Sequence, residues 1–307
     1  MKIRCGFDIS YSCVIPTAMA FLLSVRPERE RDLLTPQTLA FEPWIPSRTY
    51  LDGFGNRVTR ILAPAGVTRV RADFLMEDSG LLDEVNWDAL QHNPEDLPDE
   101  TLVFLMPSRY CDTEHLSDLA WSLFGNVPKG WPLVQAIVDY AHSRIRFDYQ
   151  MARNTRTASE GHFEQVGVCR DFAHLAVALC RCMNIPARYA TGYLGDIGVP
   201  LVPDPMDFSA WFEVYLGGRW YTFDARHNKR RIGRIVMAYG RDATDVAIST
   251  AFGPAVLENF TVITDEVQES VTTSHGYSTR FSSTEIAGTL ETAPRQDRDS
   301  GDWTAAF

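Results

Sequence analysis

Six cysteines are spread along the chain: Cys5, Cys13, Cys111, Cys169, Cys180 and Cys182. One of them, Cys169, stands where a helix should begin. Gly167 precedes an apolar stretch that reads as a helix from Cys169 to Met183, ended by Asn184 and Pro186. A cysteine in a first turn meets free backbone N–H groups and the positive end of the helix dipole, which favour the thiolate over the thiol. Given a base and an oxyanion donor, such a thiolate attacks acyl carbons near neutral pH. Cys180 and Cys182, even with His174 near them, lack the second ligand pair that a zinc site requires. Within an apolar helix they read as small buried hydrophobes. No metal and no cofactor is expected.

The elements that must position a partner for Cys169 follow directly. Ala187 to Tyr193 reads as a strand, and Asp207 to Leu216 and Arg219 to Ala225 as two more, joined at Gly217-Gly218, a strong two-residue hairpin signal. In that register Leu216 faces Arg219, Trp211 faces Asp224 and Ser209 faces Arg226. Opposed residues share a sheet face, so Ser209 and Asp224 are diagonal neighbours on one side. His227 opposes Phe208 by the same count and falls on the other face, unless a strand end or bulge at Arg226 turns it back. His174 lies five residues after Cys169, about 140° around the helix, which suits a packing or capping role. His162 sits in the polar stretch 147–165, read as a loop able to fold over the site. Arg226, Lys229, Arg230, Arg231 and Arg234 form a local basic cluster, expected to be a solvated face, as are Arg170 and Asp171 at the helix start.

Several of these segments carry a family likeness. Gly167-Val168-Cys169-Arg170-Asp171-Phe172-Ala173-His174-Leu175, then Ile185-Pro186-Ala187-Arg188-Tyr189 and Gly192-Tyr193, resemble the core of bacterial transglutaminase-like proteins. Ala210-Trp211-Phe212-Glu213-Val214-Tyr215, Trp220 and Phe223-Asp224 continue the likeness in order, over roughly residues 1–265. The resemblance implies an α+β, papain-like core with a nucleophile helix packed on an antiparallel sheet, and a Cys–His–Asp triad acting on amide bonds. Cys169 matches the nucleophile and Asp224 the acid that orients the imidazole. The family's histidine position, immediately before the Ala-Trp pair, holds Ser209. A serine hydroxyl cannot act as a general base near pH 7, and losing such a base costs on the order of 10²–10⁴ in rate. His227 is the nearest substitute in sequence. Two functions follow: a cysteine protease or amidase of peptide or isopeptide bonds working through a Cys169 thioester, or an inactive member that holds a peptide or protein partner in the old cleft. Sequence does not separate hydrolysis from acyl transfer to an amine.

Composition bounds the rest. The 307 residues are 45% hydrophobic and 22% charged, with a net charge of −11, which argues against a nucleic-acid or anionic-membrane surface. Six cysteines are too few for a disulfide scaffold. The apolar run Val14–Val25 is broken by Pro16 and followed by Arg26, Glu28 and Arg29, a poor secretion signal and too short a span; a cytoplasmic protein is expected. Strands are expected at Arg4–Ser12, Thr38–Glu42, Arg57–Ala63 and Val67–Leu75, and helices at Thr113–Phe124 and Pro132–His142. These give a β-rich subdomain over 1–85, a core over 100–268 and a loose polar tail over 269–307.

Overall fold

The computed structural model describes residues 1–201 and 206–267, so the expected tail lies outside the described residues. The chain opens with β1 (Lys2–Cys13) and β2 (Thr17–Phe21), then β3 (Ala40–Glu42), β4 (Arg48–Leu51), β5 (Arg57–Ala63) and β6 (Gly66–Glu77). Alternation drives β1: Ile3, Cys5, Phe7, Ile9, Tyr11 and Cys13 all point inward and are buried. β2 lies inside the broken apolar run, and its Thr17, Met19 and Phe21 follow the same period-2 rule.

A helical region follows, with α1 (Asp99–Leu102), α2 (Ser117–Phe124) and α3 (Trp131–Arg144). The segment read as a helix from Thr113 starts as a 3₁₀ turn at Thr113–His115 before α2 proper. Then come β7 (Arg146–Phe147), α4 (Ala158–Glu164), β8 (Val166–Gly167) and α5 (Cys169–Cys182). The stretch 147–165 is therefore not all loop. A capping box starts α4: Thr157 Oγ1 accepts from the Glu160 N–H, and Glu160 Oε2 accepts from the Thr157 N–H. The last elements are β9 (Ala187–Tyr193), β10 (Ser209–Leu216), β11 (Arg219–Phe223), β12 (Ile235–Gly240), β13 (Ser249–Ala251) and β14 (Ala255–Val267).

Three four-stranded sheets result, ordered β14-β1-β6-β3, β13-β2-β5-β4 and β11-β10-β9-β12. Residues 249–267, grouped from sequence with the core, hydrogen-bond instead to the N-terminal strands. One apolar cluster joins Ile3, Phe7, Phe21 and Phe74 to Tyr193, Ile235 and Met237 of the third sheet and to Phe208 just before β10. A second packs Leu175, Val177 and Leu179 of α5 between Val134 and Ile137 of α3 and Phe212, Val214 and Phe223 of the hairpin. The residues Arg170 to Cys182 are all buried, so α5 is an internal helix whose two ends are fixed from every side. Among the described residues, no helix is long and apolar enough to cross a membrane.

Candidate active site

Cys169 is the first residue of α5, and the start of that helix is held by buried polar contacts. Asp171 Oδ2 accepts from the Val168 N–H at 2.8 Å and from Arg156 Nη1 at 3.0 Å. The carboxylate thus ties down a backbone donor that the helix leaves unpaired and neutralises a buried guanidinium. Gly167 permits this: a Cβ there would lie 2.5 Å from Asp171 Oδ2. Arg170 and Asp171 are both buried, not a solvated helix start, and their contacts fix the cysteine's position.

Cys169 lines a small pocket of about 40 Å³ with Tyr149, Tyr189, Asp207, Ser209 and Ala210 among its walls. Burial pushes the Cys169 thiol above its ordinary value, with Arg226 and the Ala210 backbone N–H pulling it back down and Asp207 and Asp171 opposing them. Desolvation therefore outweighs the gain expected at a helix start. The other buried thiols are further from reaction: burial pushes Cys5 and Cys111 up to about 12 and Cys182 up to about 11. A larger open hollow of about 610 Å³, bordered by Glu114, Trp121, Arg181 and Cys182, lies apart from this chemistry.

Ser209 is the first residue of β10, paired with Gly192 of β9, and it lines the Cys169 pocket. The hairpin register runs from Leu216↔Arg219 to Phe212↔Phe223 and there stops. At that point the Asp224 side chain captures the chain: Oδ1 accepts from the His227 N–H at 2.9 Å, and the Asp224 carbonyl accepts from the Asn228 N–H at 2.9 Å. The resulting turn brings the His227 ring back, its Nδ1 2.9 Å from Asp224 Oδ2, while Arg234 Nη2 donates to the same oxygen at 2.9 Å. Burial alone would raise the Asp224 carboxyl; the Arg234 charge and the His227 bonds overcome it and hold it well below the usual carboxylate range. His227 and Asp224 are not among the residues that line the Cys169 pocket. Arg226 reaches that side instead, its guanidinium 3.9 Å from the Phe147 ring centroid and near enough to act on the thiol.

The basic cluster is only in part a solvated face: Lys229 and Arg230 are exposed, but Arg231 and Arg234 turn inward. Arg234 is buried against Asp83 and Asp224, and Arg231 donates to the Gly195 carbonyl at 2.8 Å through Nη2 and to Asp83 through its backbone. His174 is fully buried between Tyr110 and Tyr189, with Nε2 accepting from the Ala243 N–H at 3.2 Å; burial pushes its pKa down to about 3. His162 is buried in α4, its Nδ1 3.2 Å from the Tyr140 hydroxyl.

Asp207 was not singled out from the sequence. It lines the pocket with Cys169, its Oδ1 is closed off from solvent without a hydrogen-bond partner among the described residues, and burial pushes its carboxyl up to about 7. A signal existed: Asp207 and Ser209 are two residues apart in an extended segment, so they share a face. No group of three or more metal-ligating side chains occurs among the described residues.

The sequence profile of the Transglutaminase-like superfamily matches residues 119–225, a span that contains Cys169, Ser209 and Asp224. The crystal structure of a protein provisionally assigned as a cysteine protease from Cytophaga hutchinsonii is 31% identical to this chain. It superposes with a TM-score of 0.76, covering 89% of this chain and 92% of its own. An uncharacterized protein of Mycobacterium leprae is 37% identical over 84 residues, and one of Mycobacterium tuberculosis 34% identical over 128 residues. The matched segments span 26% and 38% of this chain, and only 30% and 40% of those relatives. The chain belongs to the transglutaminase-like superfamily, with its papain-like core preceded by a sheet-rich N-terminal region.

Proposed function

We propose that the protein is a thiol-dependent acyl hydrolase or transferase acting on peptide or isopeptide amides through a Cys169 thioester. One observation carries this reading: the cysteine at the head of a rigidly held internal helix lines a pocket with Ala210, whose backbone N–H favours the thiolate. That N–H, with the Cys169 N–H that a first helical turn leaves without an intrahelical acceptor, can bind the oxyanion of a tetrahedral intermediate. Water or an amine then resolves the thioester. The test is acyl trapping. Incubation with p-nitrophenyl acetate should add one acetyl group to the Cys169 peptide, seen by mass spectrometry, and Cys169→Ala should release no nitrophenol above background.

A second reading is favoured by one specific contact. Asp224 already serves Arg234 and His227, so the acid of the ancestral triad is engaged without an imidazole at position 209. That suits a cleft retained to hold a peptide without cleaving it. Absence of any Cys169 acyl adduct in the same experiment would favour this reading.

A further inference from the structure

We propose that Asp207 is the proton acceptor for the Cys169 thiol, standing in for the base that Ser209 cannot supply. The inference rests on the thiol chemistry proposed above and names its missing partner. Asp207 and Cys169 border one small pocket, with Ser209 also in its wall. The Asp207 charge acts on the Cys169 thiol, whereas His227 does not line that pocket. One carboxyl oxygen, Oδ1, is buried and makes no hydrogen bond among the described residues, so a lone pair is available at a site where leaving one idle is costly. A carboxylate with a buried, unpaired oxygen in the same small pocket as a thiol is the arrangement general-base catalysis needs.

The groups around Asp207 set its titration. Cys169 shares its pocket from α5, Arg226 acts on it from the turn after β11, and Tyr149 faces it from the short helix before α4. Burial raises the carboxyl, and the Phe208 N–H and Arg226 lower it, leaving a group that changes charge at about pH 7.

The proton ledger closes within the pair. As the sulfur bonds to the acyl carbon, the thiol proton passes to Asp207 and the carbonyl electrons move to an oxygen facing the Ala210 N–H. Asp207 then returns the proton to the leaving amine as the C–N bond breaks and the thioester forms. In the second half, water attacks the thioester and gives its proton to Asp207. Collapse expels the thiolate, which takes that proton back. The sum is one amide and one water converted to acid and amine.

The experiment compares wild type with Asp207→Asn, Asp207→Glu, Cys169→Ala and His227→Ala in two assays from pH 5.5 to 9. One assay is p-nitrophenyl acetate hydrolysis; the other is the iodoacetamide alkylation rate of Cys169. Asp207→Asn should lose about 100-fold or more of the Cys169-dependent hydrolysis. Its Cys169 should nonetheless alkylate faster at pH 8, because the neighbouring negative charge that raises the thiol pKa is gone. Asp207→Glu should recover part of the hydrolysis, and the wild-type rate should rise with pH through a midpoint near 7 that Asp207→Asn lacks. Opposite movement of the two readouts is something a merely structural role cannot produce. Full hydrolysis in Asp207→Asn, or equal loss of both readouts with an unchanged pH profile, overturns the assignment. So does loss of activity in His227→Ala alone. Undiminished hydrolysis in Cys169→Ala, or an inert wild type, overturns the thiol chemistry itself.

Discussion

The His227 ring and the Asp224 carboxylate meet at 2.9 Å, Nδ1 to Oδ2, three residues apart on a turn that ends the hairpin strand. Because Asp224 is held ionised by Arg234, the His227 Nδ1 facing it must carry a hydrogen. Asp224 thus has an imidazole partner, but one reached through its own turn rather than from the neighbouring strand.

Restoring a histidine at position 209 should therefore be limited by competition for Asp224. Ser209→His places a ring at the wall of the Cys169 pocket, yet Oδ2 already accepts from two donors. Thiol-dependent ester hydrolysis should rise less than tenfold in Ser209→His and by about tenfold or more when His227→Ala is added. Equal rates for the single and double variants would show that Asp224 is not the limiting partner.

Among the cysteines, Cys169 should be the first alkylated at pH 7. It keeps partial solvent access, while the other five are buried, and three of those have thiols pushed up to about 11 or 12. Peptide mapping after brief iodoacetamide exposure checks this. Faster labelling at any other position would mean that the helix head is closed to reagents.

Stability should fall in mild acid because of His174. Its folded pKa, about 3, lies below the unfolded value of about 6.5, so the unfolded chain binds the extra proton. The contribution is complete above pH 6.5 and lost at about 1.4 kcal/mol per pH unit as pH falls toward 3. Urea unfolding at pH 7.5 and 5.0 measures the slope. His174→Gln, which keeps an acceptor for the Ala243 N–H, should flatten it.

Asp207 works in the opposite sense. Its folded pKa of about 7 lies above the unfolded value of about 3.9, so its stabilising share is complete below pH 3.9 and gone above pH 7. Relative to Asp207→Asn, wild type should lose about 1.4 kcal/mol per unit between pH 5 and 7 and then level off. A constant difference across that window would mean that the carboxyl titrates normally.

Gly167→Ala should disturb the helix head without touching the cysteine. The new Cβ would meet Asp171 Oδ2, Cβ and Cγ at 2.5, 2.7 and 2.9 Å, which overpacks the site at a cost of about 1–3 kcal/mol. Thermal unfolding gives the loss, and the Cys169 alkylation rate should change with it. An unchanged melting temperature would show that the Asp171 contact gives way freely.

What could be read from the sequence was local. The Cys169 helix and the hairpin were legible because Asn184 and Pro186 stop the one and Gly217-Gly218, both at positive φ, turn the other. The register held only as far as Phe223, where a side-chain bond from Asp224 to its own backbone ends the ladder. Arg231 and Arg234 looked solvated because their acceptor, Asp83, stands about 150 residues away. Asp207 was read only as the start of a strand, because its pocket neighbours Cys169 and Tyr149 lie far from it in sequence. β2 and β4 were missed because short strands beside turns carry little periodic signal.

The pairing of β14 along the whole of β1, from Lys2↔Val267 to Cys13↔Ala255, sets a clock on biosynthesis. β6 is available as soon as residue 77 has been made, but the other edge of β1 stays open until β14 emerges. At about 5–20 residues per second that delay is roughly 10–40 s. For that interval the nascent chain carries a long bare strand edge, the feature most prone to pairing with another chain. Slow translation therefore lengthens the time for which that edge is open to another chain.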